Sequence, residues 1–339
     1  MVTQAATLEK RRIFGYDALK ALAAFFVVLY HVDMVDLGYR DGVYYYPTVT
    51  QLLWLFCGCG VPLFFMVNGA LTVKRGYTWR QVALKAWRLV LAGLVWGVVA
   101  MCVYALCKHD VSYFSLHMVR YYWFLFTLAA LYVVSYLLGR LPQWCRWTVV
   151  GLLLAFPFVT NLVWDFILLG NPQALMPRWG HSGVFTMYGI VYLYAGDYLS
   201  TRRFGRWLPW LCAVAGLLLL AIEATAVVNH IHQPFEGGNY CFPTVGALLL
   251  SIALFEWLKG WNPADSWLKR GISFLGNQAL GIYIFHLILM VIVGWIFPAV
   301  IGLAVHPVMA LLIALIYMVV SAGISALLQR SPAAFLLKL

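Results

Sequence analysis

Ten apolar stretches, each long enough to cross the hydrocarbon layer of a bilayer, constrain the fold of this chain more than any other feature. They cover residues 14–35, 49–73, 82–107, 119–138, 148–169, 183–199, 208–228, 241–259, 273–297 and 300–327. In lipid every backbone polar group needs an internal partner, so such stretches form α-helices. We therefore predict an all-α, polytopic membrane protein with about ten transmembrane helices.

The composition excludes a soluble protein. Of the 339 residues, 64% are hydrophobic and 10% are charged, whereas soluble domains carry about 25% charged residues. In a soluble chain the formal net charge of +11 would suggest a nucleic-acid partner. Here the distribution of the charges among the loops explains that excess, so we predict contact with the bilayer and none with nucleic acid.

The loop charges predict the orientation of the chain in the membrane. With ten crossings, eighteen Lys and Arg residues fall on the side of the N-terminus and four on the opposite side. Cytoplasmic loops carry the excess of positive charge. Both termini are therefore predicted to be cytoplasmic, with a segment 1–13 before the first helix and a tail 328–339 after the last.

No boundary divides the chain into separate units, and we predict a single transmembrane domain over residues 1–339. The first apolar stretch is too long for a signal peptide and lacks a small-residue cleavage site, so it is expected to stay as the first span. All seven cysteines lie in or beside apolar stretches. Cys57-Gly-Cys59 has no second pair at metal-ligand spacing, so we predict no metal site.

The first stretch, Gly15–Asp36, is apolar yet contains Asp17, Lys20 and His31. Ionisable side chains inside a span are costly and mark candidate functional sites. Lys20 and His31 are eleven residues apart, which places them on one helix face about 16 Å from each other. A lysine alone at this depth can also reach the interface with its side chain, without any function. Together the two residues form a stripe along which a long anionic ligand can lie.

Five segments, in order along the chain, resemble the membrane-bound acyltransferase-3 family. They are Asp17-Ala-Leu-Lys20 with His31, Gly60–Gly69 around Asn68, Tyr77-Thr-Trp with Lys85 and Arg88, Tyr122-Trp123-Phe124-Leu125 with Tyr132, and Tyr283-Ile-Phe-His286. Without a soluble extension, the chain most resembles the enterobacterial common antigen O-acetyltransferase branch. Two positions differ from the family pattern, because Lys20 stands where the family has arginine and Tyr122 where it often has histidine.

The resemblance implies an O-acyltransferase of the bacterial inner membrane. Its donor would be cytoplasmic acetyl-CoA, and its acceptor a hydroxyl group of an envelope carbohydrate or lipid-linked sugar. Donor binding would fall to six residues of the matching segments: Asp17, Lys20, Lys85, Arg88, Trp123 and Tyr283. Ammonium and guanidinium groups suit the phosphates of CoA.

The chemistry would fall to His31, Asp33, Asn68 and His286. His31 would act as a general base on the acceptor hydroxyl or as a nucleophile that carries the acetyl group. Asp33 would fix its tautomer if the helix ends there, and Asn68 would donate to the thioester oxyanion. His286 lies three residues after Tyr283, on the same helix face. It would either take part in the function or serve only as a packing residue.

A transporter or flippase for a small solute or a lipid-linked sugar is the alternative function. Ten spans with buried charges also suit such a protein, but many transporters are built from inverted repeats with matching broken helices. Residues 14–138 and 183–327 show no convincing match of this kind. The sequence therefore favours the enzyme.

Overall fold

The computed structural model describes residues 13–32, 39–40, 43–44, 56–108, 122–171, 187–202, 204–231, 242–303 and 306–337. These residues are almost entirely helical. The helices are α1 (Phe14–His31), α2 (Gly60–Thr72), α3 (Trp79–Lys108), α4 (Trp123–Arg140), α5 (Gln143–Leu153), α6 (Thr160–Gly170), α7 (Gly189–Ser200), α8 (Leu208–Ile231), α9 (Val245–Lys259), α10 (Trp267–Asn277), α11 (Ala279–Ile296), α12 (Ala299–Leu303) and α13 (Pro307–Leu328). A π-helical segment, Leu154–Val159, joins α5 to α6, and two-residue strands, β1 (Tyr39–Arg40) and β2 (Val43–Tyr44), pair antiparallel.

Seven helical segments of the described chain are long and apolar enough to cross a membrane. They are Phe14–His31, Trp79–Cys107, Trp123–Arg140, Gln143–Gly170, Leu208–Ala226, Ala279–Ile296 and Pro307–Leu328. The prediction of an all-α membrane protein is confirmed at this level. The count of ten crossings and the cytoplasmic termini stay predictions.

Three other predicted spans contain shorter helices. Helices α2, α7 and α9 have 13, 12 and 15 residues, fewer than the roughly 20 residues that an untilted helix needs to cross a bilayer. Nine of the 13 residues of α2, nine of the 12 of α7 and seven of the 15 of α9 are buried in the protein. Their apolar character therefore serves packing between helices as well as any contact with lipid.

Glycines allow α2 and α7 to pack with their backbones in contact. A Cβ atom on Gly69 would lie 1.8 Å from the carbonyl oxygen of Leu193, and one on Gly196 would lie 1.9 Å from that of Met66. Small residues that let helix backbones approach closely are typical of membrane proteins. The two glycines, one on each helix, allow the backbones of this pair to touch.

Several helix ends meet at one end of the bundle, which we call the Lys259 end. Gly15, at the start of α1, packs against the backbone of Lys259, at the end of α9. The backbone of Asp17 touches Gly276 near the end of α10, and Gln278 exchanges hydrogen bonds with Gln329 beyond the end of α13. The other end of the bundle carries His31, and we call it the His31 end.

The ninth predicted span, 273–297, contains a helix break. Helix α10 ends at Asn277 and α11 begins at Ala279, with φ −90° and ψ 6° at Gln278 between them. The Oε1 atom of Gln278 accepts hydrogen bonds from Ser325 at 2.7 Å and Gln329 at 2.8 Å. These contacts fix Gln278 against α13, so the continuous apolar segment that can cross the membrane starts at residue 279.

Candidate active site

His31 is the last residue of α1, and its ring is oriented by the backbone of its own helix. The Nδ1 atom lies 2.8 Å from the carbonyl oxygen of Val27, four residues earlier. A carbonyl oxygen can only accept, so Nδ1 carries the proton and donates it. In the neutral ring the Nε2 atom then has an available lone pair, which is the state that a base or a nucleophile needs.

His286 lies beside His31 although 255 residues separate them in the sequence. It is buried in the middle of α11, and its Nδ1 atom donates to the carbonyl oxygen of Ile282 at 3.0 Å. Its Nε2 atom is therefore an acceptor, and it lies 3.3 Å from the Nδ1 atom of His31, with ring centroids 5.0 Å apart. The His31 N–H is shared between a carbonyl oxygen and a second imidazole.

Aromatic side chains surround the two histidines. The Tyr30 ring meets His31 edge-on at 4.9 Å between centroids, and the Tyr283 ring is 6.0 Å from His286. Tyr283 also contacts Phe124, at 5.2 Å. Two of the predicted residues, Tyr283 and His286, therefore lie together with His31 in a mostly apolar environment.

Trp123 lies at the start of α4, next to these aromatic residues. Its ring is 5.8 Å from that of Phe242, just before α9 begins, and 6.5 Å from that of Phe124. Since Phe124 packs on Tyr283 and Tyr283 on His286, Trp123 is connected to the histidine pair through these two rings.

Lys20 and Asp17 form an ion pair near the Lys259 end. The Lys20 Nζ atom is 2.8 Å from Asp17 Oδ1, and the exposed fractions of the two side chains are 26% and 4%. Lys20 keeps part of its surface accessible while Asp17 is buried. The helical spacing from Lys20 to His31 is as predicted, about 16 Å along α1.

Lys85 faces inward from α3, whereas Arg88 is exposed. The Lys85 Nζ atom is 3.2 Å from the hydroxyl of Tyr77 and lies 4.6 Å and 5.6 Å from the ring centroids of Tyr77 and Tyr132. It borders a pocket of about 190 Å³ between the end of α2, the start of α3, the end of α4 and the start of α5. Of the two predicted donor-binding cations on α3, only Lys85 lines this pocket.

Asn68 lies on the same side as Lys85, far from the histidines. Its Nδ2 atom donates to the Phe64 carbonyl oxygen at 2.8 Å, and its Oδ1 atom accepts from the Tyr132 hydroxyl at 2.6 Å. Helix α2 starts beside Ala23, which a Cβ atom on Gly60 would approach to 3.1 Å. From that point, Asn68 lies two helical turns toward the Lys259 end, and His31 lies two turns toward the His31 end. The two side chains are therefore separated by a distance on the order of 20 Å. The structure does not bring Asn68 together with His31, and Asp33 lies outside the described residues.

Within the described part of the chain, no cluster of three His, Cys, Asp or Glu side chains has the arrangement of a metal site. The sequence analysis missed the tyrosines of the pocket as site residues. Tyr132, Tyr136 and Arg140 recur every four residues along α4 and all line it. That spacing, which puts them on one helix face, was the available signal.

Comparison with models of known protein families identifies the family of this chain. The sequence model of the acyltransferase domain family called acyltransferase-3 matches residues 13–330. The chain belongs to this family. No curated protein and no solved structure matches the chain. Family membership indicates a multi-pass membrane acyltransferase.

Tyr122, one of the two positions at which the sequence departs from the expected family pattern, directly precedes α4. Its side chain is fully buried, and its hydroxyl donates to the Ile284 carbonyl oxygen at 3.0 Å. The ring lies 6.2 Å from that of Tyr283. Tyr122 thus links the start of α4 to α11, close to His286, and its only polar atom is used in that link.

Proposed function

We propose that this acyltransferase moves an acetyl group from cytoplasmic acetyl-CoA to a hydroxyl of a cell-envelope carbohydrate or glycolipid, in the bacterial inner membrane. One observation carries the proposal: His31 has an available Nε2 lone pair at one end of α1, and cations lie at the other end. This arrangement fits a long polyanionic donor whose reactive thioester and phosphates are at opposite ends of the molecule.

The Lys259 end is assigned to the cytoplasm. The positive-inside rule favours this assignment, because eighteen of the Lys and Arg residues fall on that side when ten crossings are counted. CoA is a cytoplasmic metabolite, so its phosphates would meet the bundle at this end.

Lys20, Lys85 and Arg88 are the predicted partners of the donor phosphates. Lys20 and Lys85 are partly accessible, and Arg88 is exposed at the surface, so each can contribute a charge-assisted hydrogen bond. The thin pantetheine arm would run between the helices toward His31. The distance of about 16 Å between Lys20 and His31 suits an extended arm.

His31 has two routes to transfer the acetyl group. In direct transfer, Nε2 takes the proton of the acceptor hydroxyl as its oxygen attacks the thioester carbon, the C–S bond breaks, and the proton passes to the departing CoA thiolate. In the covalent route, Nε2 itself attacks the thioester and CoA leaves as its thiolate. The acceptor hydroxyl then attacks the acetyl-imidazole, its proton passes to the thiolate, and neutral His31 is released. Both routes use the same nitrogen.

His286 supports either route as a hydrogen-bond acceptor. When His31 gains a proton or an acyl group at Nε2, positive charge develops on its ring. The Nε2 lone pair of His286, 3.3 Å from His31 Nδ1, stabilises that charge together with the Val27 carbonyl oxygen. His286 is in this scheme a positioning residue, and Tyr283 and Trp123 form the apolar wall beside it.

The test is incubation of purified protein in nanodiscs with radiolabelled acetyl-CoA and no acceptor. Release of free CoA and label bound to protein are followed for the wild type and for His31→Ala. Label on the wild type alone, released by hydroxylamine, supports the covalent route. Donor binding without label supports direct transfer.

A folded wild-type protein that neither binds acetyl-CoA nor releases CoA contradicts the proposal. It would favour the transporter alternative, which has no need to consume the donor. Thermal melting of both proteins shows whether they are folded, so that a loss of binding is not confused with a loss of structure.

A further inference from the structure

The pocket that Lys85 borders contains two cations, Arg140 and Arg146, that are not among the predicted donor-binding residues. Its lining combines three cations, Lys85, Arg140 and Arg146, with three tyrosines, Tyr77, Tyr132 and Tyr136. Its volume of about 190 Å³ is below the roughly 300–1,000 Å³ of sites that enclose a whole small molecule. It therefore suits one end of a longer ligand.

No described carboxylate forms an ion pair with any of the three cations. Arg140 lies over the Tyr136 ring, 4.9 Å from its centroid, and donates to its hydroxyl. Lys85 similarly lies over Tyr77 and Tyr132. Cationic groups held by aromatic faces keep their charge available to an anion.

Arg146, near the start of α5, carries a buried donor. Its Nε atom is shielded from solvent and has no hydrogen-bond partner among the described residues. The carboxylate of Asp197 is close enough to interact electrostatically with Arg146. However, Asp197 Oδ1 is 3.6 Å from Lys74 Nζ, so that negative charge already has a partner. A buried guanidinium N–H without an acceptor fits a site that an anion completes.

Tyr77 responds to the positive field of the pocket. Burial raises the pKa of its phenol, but the donors Arg75 and Lys85 more than compensate, and the net pKa lies below the usual 10.0. Arg75 is 3.4 Å and Lys85 3.2 Å from the hydroxyl. The same field attracts an anionic ligand.

We propose that this pocket is a phosphomonoester site that also holds a flat ring, and that its ligand is a nucleotide with Arg140 and Arg146 on the phosphate and the tyrosines against the base. Guanidinium groups match phosphate oxygens bidentately, and aromatic side chains stack on bases of any sequence. Identifying the ligand as the phosphoadenosine end of CoA depends on the proposed function, whereas the phosphate site does not.

The experiment measures binding of adenosine 3′,5′-bisphosphate to the purified chain in nanodiscs of neutral lipid, by calorimetry. Arg146→Gln and Arg140→Gln should each weaken binding at least about tenfold, as expected for a lost charge-assisted contact. Tyr136→Leu should weaken adenosine bisphosphate but not inorganic phosphate. Arg206→Gln, which removes an exposed cation outside the pocket, should bind like the wild type.

Wild-type protein that does not bind adenosine bisphosphate, or arginine variants that bind it unchanged, would overturn the inference. A variant with a lowered melting temperature is replaced by Arg→Lys at the same position, which keeps the charge and should restore part of the binding. If the arginine variants still transfer acetyl groups and bind the donor with unchanged affinity, the pocket is not the donor site but the proposed function stands. If the chain binds the nucleotide in the pocket but has no transfer activity, the nucleotide site stands and the proposed function is wrong.

A lipid headgroup is the other source of a phosphomonoester. Nanodiscs that contain phosphatidic acid separate the two sources. If that lipid is retained by the wild type in native mass spectrometry, is lost in Arg146→Gln, and excludes adenosine bisphosphate, the site belongs to lipid and the nucleotide assignment is wrong. Nucleotide binding that is unaffected by the lipid supports the proposal.

Discussion

At the residue scale, the hydrogen bond from His31 Nδ1 to Val27 makes the opposite nitrogen available for chemistry. We expect His31→Ala to reduce acetyl transfer by at least about 100-fold, the lower end of what a positioned base contributes. Donor binding should remain, because the proposed partners of the donor phosphates lie at the other end of α1. Initial rates and calorimetry measure the two quantities separately.

His306→Ala is the matched control, since His306 is exposed at the boundary of α13. It should keep wild-type transfer. Loss of CoA binding in His31→Ala, with melting unchanged, would contradict the separation of the two ends of the site.

His286 makes a second prediction at this scale. His286→Ala removes the acceptor for the His31 N–H, whereas His286→Gln can present its Oε1 atom in a similar place. A hydrogen bond to a charged group contributes about 1.5–3 kcal/mol, so the alanine variant should be roughly tenfold to 100-fold slower than the wild type and slower than the glutamine variant. Equal kcat values for the two variants, both folded, would show that His286 only fills space.

The sequence identified both histidines but not their contact. His31 and its spacing from Lys20 follow from helix geometry within one stretch. The approach of His286 depends on how α1 packs against α11, which no local pattern specifies. Asn68 is the opposite case: its motif predicts a place at the reaction centre, whereas the antiparallel course of α2 places it near Tyr132 at the other end.

At the element scale, the contact between α2 and α7 depends on the absence of two side chains. Gly69→Ala would put a methyl group 1.8 Å from the Leu193 carbonyl oxygen, so the helices must separate. Overpacking of this kind typically costs about 1–3 kcal/mol, and the melting temperature in detergent should fall. Transfer should fall as well, because the end of α2 carries Thr72, which lines the pocket.

Gly151→Ala is the control for this substitution. Gly151 lies in α5 with nothing within 4 Å of an added Cβ atom, and replacing glycine by alanine in a helix favours it by up to about 1 kcal/mol. Its melting temperature should stay or rise. An unchanged melting temperature in Gly69→Ala would mean that the two backbones are not in contact.

Hydropathy located helices more reliably than it located their ends. All ten predicted stretches contain part of a helix, but their ends shift where polar contacts intervene. The break at Gln278 is set by Ser325 and Gln329, which lie about fifty residues away. The polar pair Asn277-Gln278 within residues 273–297 indicates hydrogen bonding between helices, but does not specify partners at that distance.

At the scale of the whole molecule, the number of crossings determines on which sides the two termini lie. Seven crossings, the number of helical segments in the described residues that are long enough, would put the ends of the chain on opposite sides. Yet the backbone of Asp17 touches Gly276, and Gln278 is bonded to Gln329. The starts of α1 and α11 and the end of α13 therefore meet at the Lys259 end, and this arrangement predicts an even number of passes.

The short helices α2, α7 and α9 supply the additional passes in this view. Each ends at the Lys259 end: Lys74, after α2, is 3.1 Å from Thr201, after α7, and Lys259 at the end of α9 donates to the Leu199 carbonyl oxygen at 2.7 Å. A buried helix need not match the full hydrocarbon thickness, because neighbouring helices shield it from lipid and provide partners for the backbone polar groups at its ends.

We therefore expect both termini in the cytoplasm. Green fluorescent protein fused after the last residue should fluoresce, and alkaline phosphatase fused there should be inactive. Truncation fusions provide the internal controls, with phosphatase active after Asn171, which follows α6, and inactive after Gly205, which follows α7. Active phosphatase at the C-terminus would mean an odd number of crossings, and the pocket at the Lys259 end would then need a different explanation for its charge.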